Sequence, residues 1–152
     1  MIDLDDIDRA ILRALQQDAT VKTAELGRRL GISQPAAWRR VRRLQEAGVI
    51  KGRRLDLDRE ALGFGVTVFL GIKLATHGRV SLADFERAVT AIPEVLTVQH
   101  VLGRYDYRLM VVARDLADFE RVLRRRIMTL PGAGEVEANV VLSEERRPGP
   151  IG

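Results

Sequence analysis

Apolar residues recur every three or four positions in the N-terminal third of the chain and every second position after Gly65, and this change of period divides it. Leu4, Ile7, Ile11, Leu12 and Leu15 form one face of a first helix, with acids crowding its first turn, where they complement the positive end of the helix dipole. Thr23 is placed to cap a second, short helix carrying Ala24, Leu26 and Leu30, which Gly31-Ile32 ends. Ser33 reads as the N-cap of a third helix from about Gln34 to Ala47. Pro35 falls in its first turn, where a missing N–H is harmless, and Gly48 stops it. Val49 to Leu57 has strand character. Three helices with a tight turn between the second and third are the pattern of a helix-turn-helix, whose last helix lies in the major groove of DNA.

Beyond Gly65, Val66, Val68, Leu70, Ile72 and Leu74 alternate with Thr67, Phe69, Gly71 and Lys73, as in a strand. Residues 81–92 read as a helix, with Ser81 and Asp84 as a capping-box-like pair and Phe85, Val89 and Ile92 on one face. Val95 to Leu102 and Tyr107 to Ala113 are strands joined across the hairpin-length link Gly103-Arg104-Tyr105-Asp106. A helix from Asp115 to about Met128 and a strand from Val136 to Leu142 complete the order. Leu82-Ala83-Asp84-Phe85-Glu86-Arg87 recurs unchanged as Leu116-Ala117-Asp118-Phe119-Glu120-Arg121, each copy opening a helix that leads to a proline turn. Two copies with strands between them argue for two βαβ halves and against a solenoid.

The chain is therefore expected to be α+β: an N-terminal three-helix winged helix-turn-helix (residues 1–52), a linker strand or hinge (53–64), a ferredoxin-like βαββαβ domain (65–143) and a flexible tail (144–152). In that arrangement both helices lie on one face of an antiparallel sheet. Phe69, Met110, Val112 and Val141 cannot all face the helices, so the open face is expected to pair with another copy in a homodimer.

Charge sharpens the picture. The net charge is only +4, yet residues 33–54 carry seven basic groups and one acid, a local +6. A basic segment in an otherwise balanced chain is the electrostatic footprint of a nucleic-acid contact, against the plainer reading of a solvated helix face. On the third helix, Ala37, Val41 and Leu44 share the core face, which leaves Pro35, Ala36, Arg39, Arg42 and Arg43 opposite. Gln34, Arg39 and Arg43 are the expected base readers, since glutamine bonds adenine and arginine guanine in a bidentate way, with Pro35 and Ala36 beside them. Ser33, Arg40, Arg42, Lys51, Arg53 and Arg54 are expected to hold phosphates. Arg40 flanks the core face and equally suits an ion pair with an acid of the first helix such as Asp8. Trp38, at the edge of that face, reads as a packing residue.

The absence of cysteine removes disulfides and thiolate metal sites, and His77 and His100 alone supply a metal poorly, so no metal, cofactor or catalytic residue is expected. His100 reads as a packed or interface histidine. The acidic opening and the lack of a long apolar run argue against a signal peptide or membrane span and make the cytoplasm the default location.

The whole chain resembles the Lrp/AsnC, or feast/famine, family of transcriptional regulators. The resemblance rests on Leu4-Asp5-Asp6-Ile7-Asp8-Arg9-Ala10-Ile11-Leu12, on Ser33 to Leu44 running into Gly48-Val49-Ile50-Lys51-Gly52, on Gly103-Arg104-Tyr105-Asp106-Tyr107 and on Leu130-Pro131-Gly132. It implies dimers paired through the C-terminal sheets, often assembled further, with double-stranded DNA as partner. It also implies an amino acid or related small molecule as effector, bound beside the turn that here is Gly103 to Asp106. Gly103 would admit close backbone approach, Asp106 would accept from an α-ammonium group, and Arg104 or backbone N–H groups, with Tyr105 alongside, would meet a carboxylate. A plain hairpin turn explains Gly103 and Asp106 equally well. Arg53 stands where the family commonly has an aromatic residue. Two rival functions are a sirohaem-decarboxylase-like enzyme, which the basic third helix disfavours, and a low-specificity architectural DNA binder.

Overall fold

The computed structural model describes residues 2–75 and 82–152, and the chain divides into two compact units. The first comprises Met1–Asp56 with Glu145–Gly152; the second is Leu57–Glu144.

The first unit holds α1 (Asp6–Gln17), α2 (Thr23–Leu30) and α3 (Gln34–Glu46). Ile11, Val21, Leu26, Ala37, Val41 and Leu44 form its buried core, at the spacings that put them on inward faces. Asp5 caps α1 in a capping box: its carboxylate accepts from the Asp8 N–H at 2.8 Å, and the Asp5 N–H donates to the Asp8 carboxylate. Thr23 proves to be the first residue of α2. Lys22 precedes it as N-cap without a side-chain bond. Gly31 ends α2 in the left-handed conformation (φ +67°) that glycine adopts without steric cost. Ser33 caps α3, its Oγ accepting from Ala36 N–H at 3.2 Å, with Pro35 in the first turn.

Residues 51–58 form no strand, contrary to the strand character expected of Val49 to Leu57: all are exposed and none joins a ladder among the described residues. A strand is stable only when its backbone groups find partners. The last residues, expected to be a flexible tail, are instead seated on the helical unit. Arg9 Nε donates to the Gly152 carbonyl oxygen at 2.6 Å and Gln16 Nε2 to that of Gly149 at 3.0 Å. Pro150 and Ile151 line a groove with Leu4, Leu12, Leu15 and Ile50.

The second unit is a four-stranded antiparallel sheet in the order β2-β3-β1-β4, with β1 Val66–Leu74, β2 Val95–His100, β3 Tyr107–Ala113 and β4 Ala133–Val140. This is the ferredoxin-like order that two βαβ halves give. Helices α4 (Leu82–Thr90) and α5 (Leu116–Val122) carry the repeated hexapeptide, and its phenylalanines, Phe85 and Phe119, are both buried in the core with Val68, Leu70, Ile72, Tyr107, Leu109 and Val111. Asp115 caps α5. Leu123–Ile127 continues α5 with π-helical bonding, Met128 N–H reaching the Leu123 carbonyl at 2.8 Å, and Ile127 is buried. Ser81 lies outside the described residues, so its expected pairing with Asp84 does as well.

On the sheet's outer face, register places Thr67, Phe69 and Gly71 of β1 beside Arg108, Met110 and Val112 of β3. This face is less bare than the sequence suggests. Met110 and Val112 are buried within the single chain, and Phe64 from the segment leading into β1 lines a cleft with Val112 and Leu96. No helix is long and apolar enough, among the described residues, to cross a membrane.

Candidate nucleic-acid interface and effector turn

Helix α3 is oriented by what lies beneath it. Ala37, Val41 and Leu44 are buried against α1 and α2, so the helix must present its remaining faces outward. The Ser33 cap and Pro35 fix its start, and Gln34, Pro35 and Arg39 are exposed there with Ala36 half-buried. The turn that sets α3 on α2 is tight: Ile32 N–H donates to the Gly27 carbonyl at 3.0 Å, and a Cβ at Gly27 would lie 2.7 Å from the Ile32 carbonyl oxygen. Gly27 is a site residue that the sequence reading missed. Its signal is a glycine inside a helical pattern, four residues before the capping Gly31.

The seven cations of residues 33–54 are not equivalent. Arg40 Nη1 donates to Asp5 at 2.7 Å and to Asp8 at 2.9 Å, and Arg43 Nη2 pairs with the other oxygen of Asp8. Asp8 is fully buried. Its N–H bond to Asp5, together with Arg40, holds the Asp5 carboxyl below the ordinary aspartate range, and the two acids raise Arg40. Arg42 pairs with Glu46 at 2.8 Å and lies over the Trp38 ring, 5.2 Å from its centroid. Trp38, expected to be packed, is half exposed and offers its ring to that stacking. Arg39, Lys51, Arg53 and Arg54 make no ion pair among the described residues and are exposed. Of the expected base readers, the structure therefore leaves Gln34 and Arg39 unengaged at the start of the helix, while Arg43 is tied to α1 as Arg40 is.

In the second unit, Gly103 to Asp106 links β2 to β3. Asp106 anchors it: its N–H donates to the Ile72 carbonyl at 2.9 Å and its carboxylate accepts from Leu74 N–H at 2.8 Å, across the bulge in the β1–β4 pairing. Tyr105 folds over the outer face onto Gly71, where a Cβ would come within 2.6 Å of the ring, and its hydroxyl bonds Glu137, which raises the phenol. Arg104 pairs with Glu135 at 2.9 Å. A cleft of about 340 Å³ lies among Phe69, Gly71, Val101, Gly103, Tyr105 and Arg108. Gly103 has no positive φ and no neighbour within 4 Å of an added Cβ, so the turn itself does not require glycine there. His100 stacks on Tyr107, 4.8 Å between centroids. The buried Tyr107 hydroxyl donates to Glu86 at 2.6 Å, and burial followed by that bond pushes its pKa up to about 12.

Comparison with known proteins agrees with both units. Residues 4–51 match winged helix-turn-helix DNA-binding domains, and residues 67–151 match Lrp/AsnC ligand-binding domains. The chain is 39% identical over 124 residues to the glutamate uptake regulatory protein of Zymomonas mobilis, covering 82% of this chain and 76% of that one. It is 32% identical to the DNA-binding transcriptional activator DecR of Escherichia coli, covering 93% of each. A feast or famine regulatory protein of M. tuberculosis, solved with L-methionine, superposes with a TM-score of 0.87 at 30% identity, covering 95% of this chain and 96% of that one.

Proposed function

The chain belongs to the Lrp/AsnC family of transcriptional regulators, and from that premise we propose how its own residues divide the work of binding DNA and sensing a small molecule. The observation that carries the DNA reading is a recognition helix capped by Ser33 and presenting Gln34 and Arg39 outward, with Lys51, Arg53 and Arg54, which make no ion pair among the described residues, following it. Gln34 and Arg39 read base edges, with Pro35 and Ala36 against the groove floor. Ser33, Arg42, Lys51, Arg53 and Arg54 hold phosphates, Arg42 after leaving Glu46. Binding of operator and scrambled DNA across a salt series tests this. Arg39→Ala should cost about 1–3 kcal/mol on the operator and narrow the gap between the two DNAs. A variant that kept its full preference would refute the assignment.

The protein is proposed to regulate as a homodimer or larger assembly and to perform no catalysis. Phe69 and its neighbours on the outer sheet face, with Tyr105 folded across them, offer the surface for a second copy. An amino acid is the proposed effector, as the methionine complex of the relative suggests. Open space at Gly103 supports close approach of a ligand there. Asp106 accepts from Leu74 N–H through one oxygen, which leaves further lone pairs of its carboxylate to accept from an α-ammonium group. Such a ligand acts only through different affinities for two assembly states, so oligomer size and DNA affinity should change together.

A further inference from the structure

We propose that Asp8 limits the sequence-independent affinity for DNA by withdrawing Arg40 and Arg43 from its phosphates, an inference that rests on the DNA-binding reading above. Asp8 is the buried charged residue of the helical unit, and a carboxylate is stable there only if cations and donors surround it. It has three: the Asp5 N–H, Arg40 on one oxygen and Arg43 on the other. Arg40 is held a second time by Asp5, so two carboxylates of α1 face two guanidiniums of α3.

Arg40 and Arg43 are three residues apart and therefore project from one side of the helix, toward α1. Arg39 is exposed and makes no ion pair among the described residues. The acidic pair thus sorts the arginines of α3. Those beside α1 are spent on fixing the helix's rotation, and Arg39, which has no ion pair among the described residues, is left to read sequence. Two further arginines free to reach phosphates would strengthen binding to every sequence alike, holding the protein longer on random DNA while the preference that Arg39 and Gln34 confer stays as it is.

The test is Asp8→Asn in the full-length protein, measured on operator and random DNA over a salt series. Asparagine keeps the shape and removes the charge. Loss of the Asp8 charge frees Arg43 while Asp5 still holds Arg40, so binding to random DNA should tighten up to about eightfold near 0.1 M salt and the dependence of log K on log salt should steepen by about 0.9; adding Asp5→Asn frees Arg40 as well and brings the steepening to ~2. Binding to the operator should gain by the same factor. A purely structural role for Asp8 predicts weaker binding to both DNAs with no steeper slope, and that result would overturn the proposal. Should the variant fold poorly, Arg40→Gln and Arg43→Gln decide the matter separately. Each should leave the salt slope on random DNA unchanged, and a slope shallower by about 0.9 in either would show a phosphate contact and overturn the idea. If the unaltered protein showed no salt-dependent binding at all, the DNA reading itself would fail, which is a different outcome.

Discussion

Gly27 offers the sharpest test of how the helix-turn-helix is built. In an isolated helix, replacing glycine by alanine stabilises by about 1 kcal/mol. Here the new methyl would sit 2.7 Å from the Ile32 carbonyl oxygen and 3.3 Å from Gln34 N, both backbone atoms that no side-chain rotation can move. Ordinary contact needs roughly 3.5 Å, so the turn must open by most of an ångström, straining the Ile32 to Gly27 bond and carrying the Ser33 cap with it. Overpacking costs about 1–3 kcal/mol and a weakened backbone bond about 1 more, so the net effect of Gly27→Ala should be a loss of about 1–3 kcal/mol. Trp38 is the sole tryptophan and sits on α3, so urea unfolding followed by its fluorescence reports on this unit. The midpoint should fall by roughly 1 M if the slope is near 1–2 kcal/mol per M. Operator binding should weaken as well, because α3 is displaced. Gly31→Ala is the contrasting control: it meets nothing within 4 Å and suffers only its left-handed φ, a cost of about 1 kcal/mol. A Gly27→Ala protein as stable as its parent, with DNA binding intact, would refute the claim that close packing at this turn sets the recognition helix.

Other expectations follow from the same geometry. The Asp5 carboxyl is held below its ordinary value of 3.8, so the stability it contributes is complete above that value and is lost as pH falls through the lowered one; acid titration of Asp5→Asn by circular dichroism should lack this component. Tyr107 runs the other way: its neutral form is favoured up to about 12, so native stability should hold below pH 10 and decline by roughly 1.4 kcal/mol per unit between 10 and 12, a decline that Tyr107→Phe should abolish in alkaline denaturation curves. Gly71→Ala should expel the Tyr105 ring from the outer sheet face, and sedimentation should then show weaker self-association if that ring belongs to the subunit interface. In a thermal-shift screen of the twenty amino acids, a hit should be lost in Gly103→Val; a shift that survives would place the effector elsewhere.

What could be read from the sequence followed from patterns local to each element. Tyr107 to Ala113 emerges with its observed bounds because an apolar run interrupted only by Arg108, between a turn and a helix cap, has few alternatives. The repeated hexapeptide announced two equivalent helices, and both phenylalanines are in the core. Readings that depended on distant partners fared less well. Val49 to Leu57 has strand character, but among the described residues no strand pairs with it. Trp38 was assigned to packing from its place on the helical wheel, whereas exposure beside Arg42 gives it a stacking role. The sequence left Arg40 open between phosphate and Asp8 and set Arg43 among the base readers; both choices depend on where α1 lies against α3, which no spacing within α3 encodes.

The seating of Gly149 to Gly152 on α1 has a consequence for the living history of each molecule. The helix-turn-helix precedes the second unit along the chain, yet the groove lined by Leu4, Leu12, Leu15 and Ile50 is covered by residues that follow that unit. At ordinary elongation rates the ninety or so intervening residues take roughly 5–20 s. During that interval a nascent chain carries a folded DNA-binding unit with an uncovered apolar strip, which is when chaperones or neighbouring nascent chains would engage it. A chain cut short anywhere in the second unit would keep that strip uncovered permanently.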